Sequence, residues 1–130
     1  LDDLLGRSDY VSLHLPGGGA TKGLMSLPRF EAMRRTAWLV NTARGSVVDE
    51  ADLWMALERN LIAGAALDVY DHEPLPKDHP FRKLDNVVVT PHIGFVADDN
   101  YTVFYGQSVE NILAFLDGKP LRIIDPSAGH

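Results

Sequence analysis

The sequence predicts an α/β protein built on part of a doubly wound parallel sheet. Short apolar runs at residues 10–15, 38–40, 62–67 and 87–90 have the length and the small or polar flanks of strands. Between them lie stretches whose apolar residues recur three and four apart, the spacing of one helix face. Strands alternating with helices call for a parallel sheet with right-handed crossovers, of which roughly four strands are present. At 130 residues the chain is one domain or part of one, long enough for a real core.

Leu1 to Leu5 reads as a helical turn, with Gly6 as its left-handed stop. Tyr10 to Leu15 alternates apolar and polar residues and reads as a strand ending at Pro16. Gly17-Gly18-Gly19 follows as a flexible turn. It fails the dinucleotide fingerprint, because Lys22 stands where a third glycine belongs and no acidic residue ends the next strand. Ser26 is the expected N-cap of a short helix, with Pro28 in its first turn and Leu27, Phe30 and Met33 on its apolar side.

Trp38-Leu39-Val40 is the central buried strand, breaking into Asn41-Thr42-Ala43-Arg44-Gly45. Ser46-Val47-Val48 reads as a brief extended piece. Asp49 then caps a helix over residues 50–59, with Leu53, Trp54 and Leu57 on its apolar face and Asn60 at its end. Ile62 to Leu67 is the next strand, its alanines and Gly64 implying close packing, and it ends at Asp68. Pro74, Pro76 and Pro80 keep residues 69–80 irregular. Val87 to Thr90 reads as a further buried strand, broken by Pro91 and followed by His92-Ile93-Gly94. A long helix over residues 98–117 carries a stripe of Tyr101, Phe104, Tyr105, Ser108, Ile112 and Phe115, and Gly118 and Pro120 stop it.

Composition narrows the function. A net charge of -6 argues against nucleic acid and anionic membrane surfaces as partners. The absence of cysteine excludes disulfides, thiolate nucleophiles and cysteine-zinc sites. No apolar run reaches the roughly 18 residues of a bilayer span. No signal peptide is read at the start, so a cytoplasmic location is expected. Leu1-Asp2-Asp3-Leu4-Leu5 reads like the inside of a helix, so the chain is expected to begin in mid-domain. Residues 121–130 are read as a tail, with Ser127-Ala128-Gly129-His130 a possible tag remnant.

The unusual polar residues fall just after strands: Arg44 after the second, Asp68 and Glu73 after the third, His92 after the fourth. In a parallel sheet those exits share one edge, where open α/β folds bind ligands. Each residue also has a plainer reading. Arg44 could sit on a surface turn, Asp68 could cap a turn, Glu73 could be solvated and His92 could bond to backbone. Together they form a coherent chemistry. A guanidinium matches a carboxylate in two parallel hydrogen bonds. A histidine can exchange a proton near neutral pH, and a neighbouring carboxylate orients it. The set suits reduction of a 2-keto acid by hydride, with His92 supplying the proton. Asp71, His72, Glu73 and His79 offer metal-binding residue types, but with no helical ligand spacing, and no metal is expected.

Leu13-His14-Leu15-Pro16, Val40 to Gly45, Gly64 to Tyr70, Glu73-Pro74 and Thr90 to Gly94 resemble the D-isomer-specific 2-hydroxyacid dehydrogenases. The match runs from Leu1 to about Pro120, and several motifs occur in the family's order. The resemblance implies a Rossmann-like NAD-binding domain whose N-terminal portion is absent. Residues 1–120 would be its C-terminal portion with a returning C-terminal helix. It implies that Arg44 binds the substrate carboxylate and carbonyl, that His92 is the acid/base and that Glu73 is its partner. It also implies that Leu15, Pro16, Thr42, Ala43, Arg44, Asp68, His92 and Gly94 lie along the NAD, with NADP left open because the ribose-reading strand end is missing. A small 2-keto or 2-hydroxy acid is the implied substrate, and a homo-oligomer the implied state of the full-length parent. Glu73 separates the chain from the formate dehydrogenase branch, which has glutamine there. Residues 95–101 depart from the family's small and threonine residues, so the particular acid is not assigned. Some relatives are corepressors, which gives the alternative of an NAD(H)-sensing module without turnover.

Overall fold

A computed structural model describes residues 1–125. It divides into two compact units, Leu1–Gly94 and the residues from Phe95 onward. The expected tag remnant, Ser127 to His130, lies outside the described residues.

The first unit holds four strands, β1 (Tyr10–Leu13), β2 (Trp38–Asn41), β3 (Gly64–Leu67) and β4 (Val87–Val89). They form one sheet in the order β1-β2-β3-β4, every pair parallel. This is the Rossmann-like α/β arrangement that the alternation of strands and helices predicts. The register places Tyr10 beside Trp38, Trp38 beside Gly64, and Leu67 beside Val89, so the strand exits line up along one edge. β1 shows the alternation of a half-buried strand, with Val11 and Leu13 inside and Tyr10 and Ser12 outside. β4 differs from expectation. Val88 is 56% exposed, because β4 is the outer strand of the described sheet.

The helices are α1 (Asp2–Arg7), α2 (Leu27–Ala32) and α3 (Glu50–Glu58). Gly6 does not stop α1. It lies within the helix, and the chain leaves through an extended Ser8. A β-carbon at Gly6 would sit 3.4 Å from the Ala32 carbonyl oxygen, so α1 runs close to α2 there. Ser26 is the N-cap residue of α2, but its side chain makes no capping bond; the Leu27 N–H donates instead to Asp52 Oδ2 of α3 at 2.9 Å. Asp49 caps α3 as expected, Oδ1 accepting from the Asp52 N–H at 3.0 Å. Asn60 closes the turn after it with φ 55°. Gly45–Val47 is a short 3-10 turn rather than an extended piece, and only Val48 bridges to Met25. The core gathers Leu5, Met25, Phe30, Leu39, Val47, Leu53, Leu57, Ile62 and Phe81, all essentially without exposure.

The second unit contains α4 (Asp98–Leu116). Asp98 and Asp99 favour its N-terminal turn through the helix dipole, and Gly118, at φ 73°, follows its end. Tyr101 and Tyr105 stack, centroids 5.5 Å apart. The predicted stripe is present, and α4 buries none of its residues. Among the described residues no helix is long and apolar enough to cross a membrane.

Gly45 is the tightest point of the first unit. A β-carbon there would fall within the backbone of Tyr70 and Asp71. Gly45→Ala is therefore expected to destabilise the fold by about 1–3 kcal/mol or more, the cost of overpacking against atoms that cannot move aside. Urea unfolding of the two proteins side by side tests this; equal midpoints would show that the approach is not constraining.

Candidate active site

The strand exits assemble the site. At the end of β2, Asn41 is buried and its side chain braces the turn that carries Arg44. The Ala43 N–H donates to Asn41 Oδ1 at 3.1 Å, and Asn41 Nδ2 donates to the Arg44 carbonyl at 3.0 Å. Arg44 itself is extended at φ -151° and exposed, with Nη1 donating to the Ala43 carbonyl at 2.6 Å. A cleft of about 530 Å³ opens here, lined by His14, Leu15, Pro16, Gly17, Thr42, Ala43 and Arg44. Its size lies within the range of small-ligand sites.

Past β3 and β4 the second group forms. Leu67 pairs with Val89, so Asp68 and Thr90 stand side by side one residue further on. Thr90 Oγ1 donates to Asp68 Oδ1 at 2.5 Å. The Ile93 N–H donates to the same oxygen at 2.9 Å and the Gly94 N–H to Oδ2 at 2.8 Å. Between these donors His92 adopts φ 57°, the left-handed region that costs a non-glycine residue of order 1–3 kcal/mol. That turn aims successive N–H groups at one anion, a backbone nest whose anion is the Asp68 carboxylate. Gly94 fits because a β-carbon would come within 3.0 Å of Asp68 Oδ2.

His92 Nδ1 is 2.6 Å from Glu73 Oε2, and the Tyr70 N–H donates to Glu73 Oε1 at 3.0 Å. The side chains of the pair are 40% and 35% exposed, so water screens their attraction and its value lies in orientation more than stability. They line a smaller cleft of about 310 Å³ with Tyr70, Pro74, Leu75 and Pro91. Burial is the largest single influence on both Asp68 and Glu73 and opposes their ionisation. At Asp68 the hydrogen bonds from Thr90, Ile93 and Gly94 with the charge of His92 outweigh it; at Glu73 the bonds from His92 and Tyr70 do so. Both carboxyls are held below their ordinary values.

The structure thus brings Glu73 to His92 and locks Asp68 and Gly94 behind them. It gathers Leu15, Pro16, Thr42, Ala43 and Arg44 in the first cleft. The two clefts share no lining residue. Of the metal-type residues, His79 accepts from the Phe81 N–H through Nδ1 and has Nε2 3.6 Å from Glu50 Oε2, while Glu73 is committed to His92. Among the described residues no group of three or more such side chains converges. Asn41, Thr90 and Tyr70 are the participants that the sequence reading did not single out. Asn41 alone left a signal, as a polar residue closing an apolar strand.

A parallel α/β sheet with a histidine–carboxylate pair and an arginine at its strand exits defines the class: a Rossmann-like α/β domain whose polar side chains gather on the edge where such folds bind ligands. Residues 1–94 match the family model of the D-isomer specific 2-hydroxyacid dehydrogenase, NAD binding domain, and the chain belongs to that family. It is 45% identical over 119 residues to a glyoxylate reductase of Thermofilum pendens, covering 92% of this chain and 35% of that protein. It is 38% identical over 128 residues to a glycerate dehydrogenase of Methylorubrum extorquens, covering 96% and 40%. The NAD complex of a D-isomer specific 2-hydroxyacid dehydrogenase from Lactobacillus delbrueckii ssp. bulgaricus superposes with a TM-score of 0.83 at 31% identity, over 95% of this chain and 42% of that one. The chain therefore spans little more than a third of the length of these curated relatives.

The depressed carboxyls have a consequence for pH. A group whose folded-state pKa is lowered stabilises the fold above its unfolded value and loses that contribution as pH falls through the folded one. The contribution should be complete above the ordinary values of 3.8 for Asp68 and 4.5 for Glu73, and be lost as pH falls below them. Asp68→Asn should remove the Asp68 share of this dependence, leaving that of Glu73, and cost about 1–3 kcal/mol at neutral pH, since an amide N–H₂ would face backbone or hydroxyl donors. Urea unfolding of both proteins at about pH 7 and about pH 3 measures it. A parallel fall in stability for the two would show that Asp68 is not the acid-sensitive group.

Proposed function

We propose that this chain is the C-terminal portion of the cofactor domain of an NAD-dependent D-2-hydroxyacid dehydrogenase. Residues 1–120 would carry that portion and its C-terminal helix, ahead of a tail. The observation that carries the reading is the 2.6 Å contact between His92 and Glu73, on the sheet edge where Arg44 also stands.

The first cleft fits the nicotinamide end of a dinucleotide. Leu15 and Pro16 offer an apolar wall at the β1 exit, and Thr42 and Ala43 border it at the β2 exit. Bound NADH would supply hydride to the carbonyl carbon of a 2-keto acid. Arg44 would hold the carboxylate through its planar fork and draw charge toward the carbonyl oxygen. His92 would give that oxygen a proton from Nε2, since Nδ1 faces Glu73, and would take it back in the oxidation. Glu73 would fix the ring orientation, and Asp68 would fix the turn that carries the ring. The product is the 2-hydroxy acid, with one hydride and one proton added. Arg44, His92 and Glu73 would together supply a carboxylate clamp, a proton donor and a donor-orienting group, which favours turnover over NAD(H) sensing alone. NADP stays open. A homo-oligomer and a cytoplasmic location belong to the same reading, the latter suited to an enzyme drawing on the NAD(H) pool.

Two outcomes test this. In the full-length protein that carries this chain, Arg44→Lys should lower kcat/KM for glyoxylate or hydroxypyruvate by about tenfold to a thousandfold, equivalent to about 1.4–4 kcal/mol. Kinetics within about twofold of the unsubstituted protein would remove Arg44 from the mechanism. Residues 1–130 alone should bind NADH weakly and turn over neither acid, because a pyrophosphate rests on a glycine-rich turn at a helix N-terminus and Gly17-Gly18-Gly19 does not lead into one. Fluorescence titration with light scattering decides this; micromolar binding with turnover by a monomer would refute it.

A further inference from the structure

Tyr70 has no part in the chemistry above, yet three segments of the rim meet on it. Its side chain is buried, 6% exposed. Its hydroxyl oxygen lies 2.8 Å from the carbonyl oxygen of Leu67, which ends β3, and 2.8 Å from that of Thr90, just past β4. A single O–H donates to one carbonyl at a time, so the proton is shared between two strand ends. The Tyr70 N–H holds Glu73 Oε1, and the Tyr70 carbonyl group is the surface against which Gly45 packs, next to Arg44.

We propose that Tyr70 is a positioning residue for the His92–Glu73 pair, its hydroxyl fixing the Thr90 carbonyl while its N–H aims the Glu73 carboxylate. The geometry is that of a two-sided clamp. Asp68 grips the turn through Thr90 Oγ1 and the N–H groups of Ile93 and Gly94. Tyr70 grips the same turn through the Thr90 carbonyl, two residues before His92. The Pro91 ring already fixes the bond on the far side of the peptide after Thr90; the Tyr70 hydroxyl holds its carbonyl and so limits the remaining rotation on the Thr90 side. With Oε1 fixed by Tyr70, Oε2 is the oxygen presented to His92. Burial raises the phenol's pKa above its ordinary value, which keeps the hydroxyl a donor across the working range.

The kinetic half of this inference rests on the dehydrogenase reading, so the test has a half that does not. Tyr70→Phe in the full-length protein keeps the ring and the backbone N–H and deletes only the hydroxyl. Reduction of glyoxylate should lose about tenfold to a hundredfold in kcat, the cost of a displaced catalytic group. KM should hold within about twofold, because Arg44 is untouched. In protein labelled with ¹⁵N-histidine, the downfield Nδ1–H resonance of His92 should be sharp in the unsubstituted protein and lost in Tyr70→Phe, as in Glu73→Gln. A resonance that survives in Tyr70→Phe, or a kcat within about twofold, overturns the proposal. If Tyr70→Phe does not fold, 3-fluorotyrosine at position 70 keeps the shape and strengthens the donor; an unmoved His92 resonance then overturns it. No turnover by the unsubstituted protein sinks the dehydrogenase reading instead, and the resonance alone decides on Tyr70.

Discussion

The Asp68 carboxylate, facing the N–H groups of Ile93 and Gly94 and the Thr90 hydroxyl, is the interaction on which the rest of the rim depends. A buried carboxylate without donors would protonate or expel its segment. Here three donors meet it, and hydrogen bonds to a charged group are each worth about 1.5–3 kcal/mol. That exceeds the roughly 1–3 kcal/mol of a left-handed non-glycine residue, so the strain at His92 is held rather than relaxed. The cause lies in the register. Leu67 beside Val89 puts Asp68 beside Thr90, and the turn after Thr90 folds back onto the acid. A one-residue slip would break the nest and carry His92 away from Glu73.

The other half of the rim is built without a buried charge. Asn41 closes the Thr42–Arg44 turn on itself, and Gly45 lets the chain touch the backbone of Tyr70 and Asp71. Glu50, in the first turn of α3, accepts from the Asp71 N–H at 2.8 Å, so the helix after Arg44 also holds the loop that leads to Glu73. The two strand exits are thereby coupled through backbone rather than through the groups assigned to chemistry. The cost of placing the side chains at the chemical positions falls on Asn41, Gly45, Glu50 and Tyr70.

Local pattern made most of the fold legible. Bounded apolar runs located all four described strands, and the polar residues after the second, third and fourth singled out Arg44, Asp68, Glu73 and His92. What stayed hidden depends on which strand neighbours which. Thr90 is an ordinary end to a valine run until the register places it beside Asp68. Tyr70 is an ordinary loop aromatic until its hydroxyl is seen between two strand ends. The exposure of Val88 likewise follows from the position of β4 in the sheet, not from its sequence. Gly6 misled for a related reason: glycine is often a helix stop, but here the close run of α1 past α2 is what a small residue serves. Ser46-Val47-Val48 carries β-branched residues, and the tight packing behind Gly45 bends it into a 3-10 turn.

Strand spacing also bears on what the rim can hold. Arg44 leaves β2 and His92 leaves β4, with β3 between them. Neighbouring strands lie about 4.8 Å apart, so these two exits stand roughly 10 Å apart across the sheet. In the proposed reaction an arginine side chain and an imidazole turned inward would close most of that span. In that reaction the room above the exit of β3 would take a group of a few heavy atoms, such as a carboxylate joined to a carbonyl. In the proposed reaction the shared head of every 2-keto acid would be read by this edge, and any longer substituent would have to extend away from it. Selection among acids then falls to surfaces other than this edge.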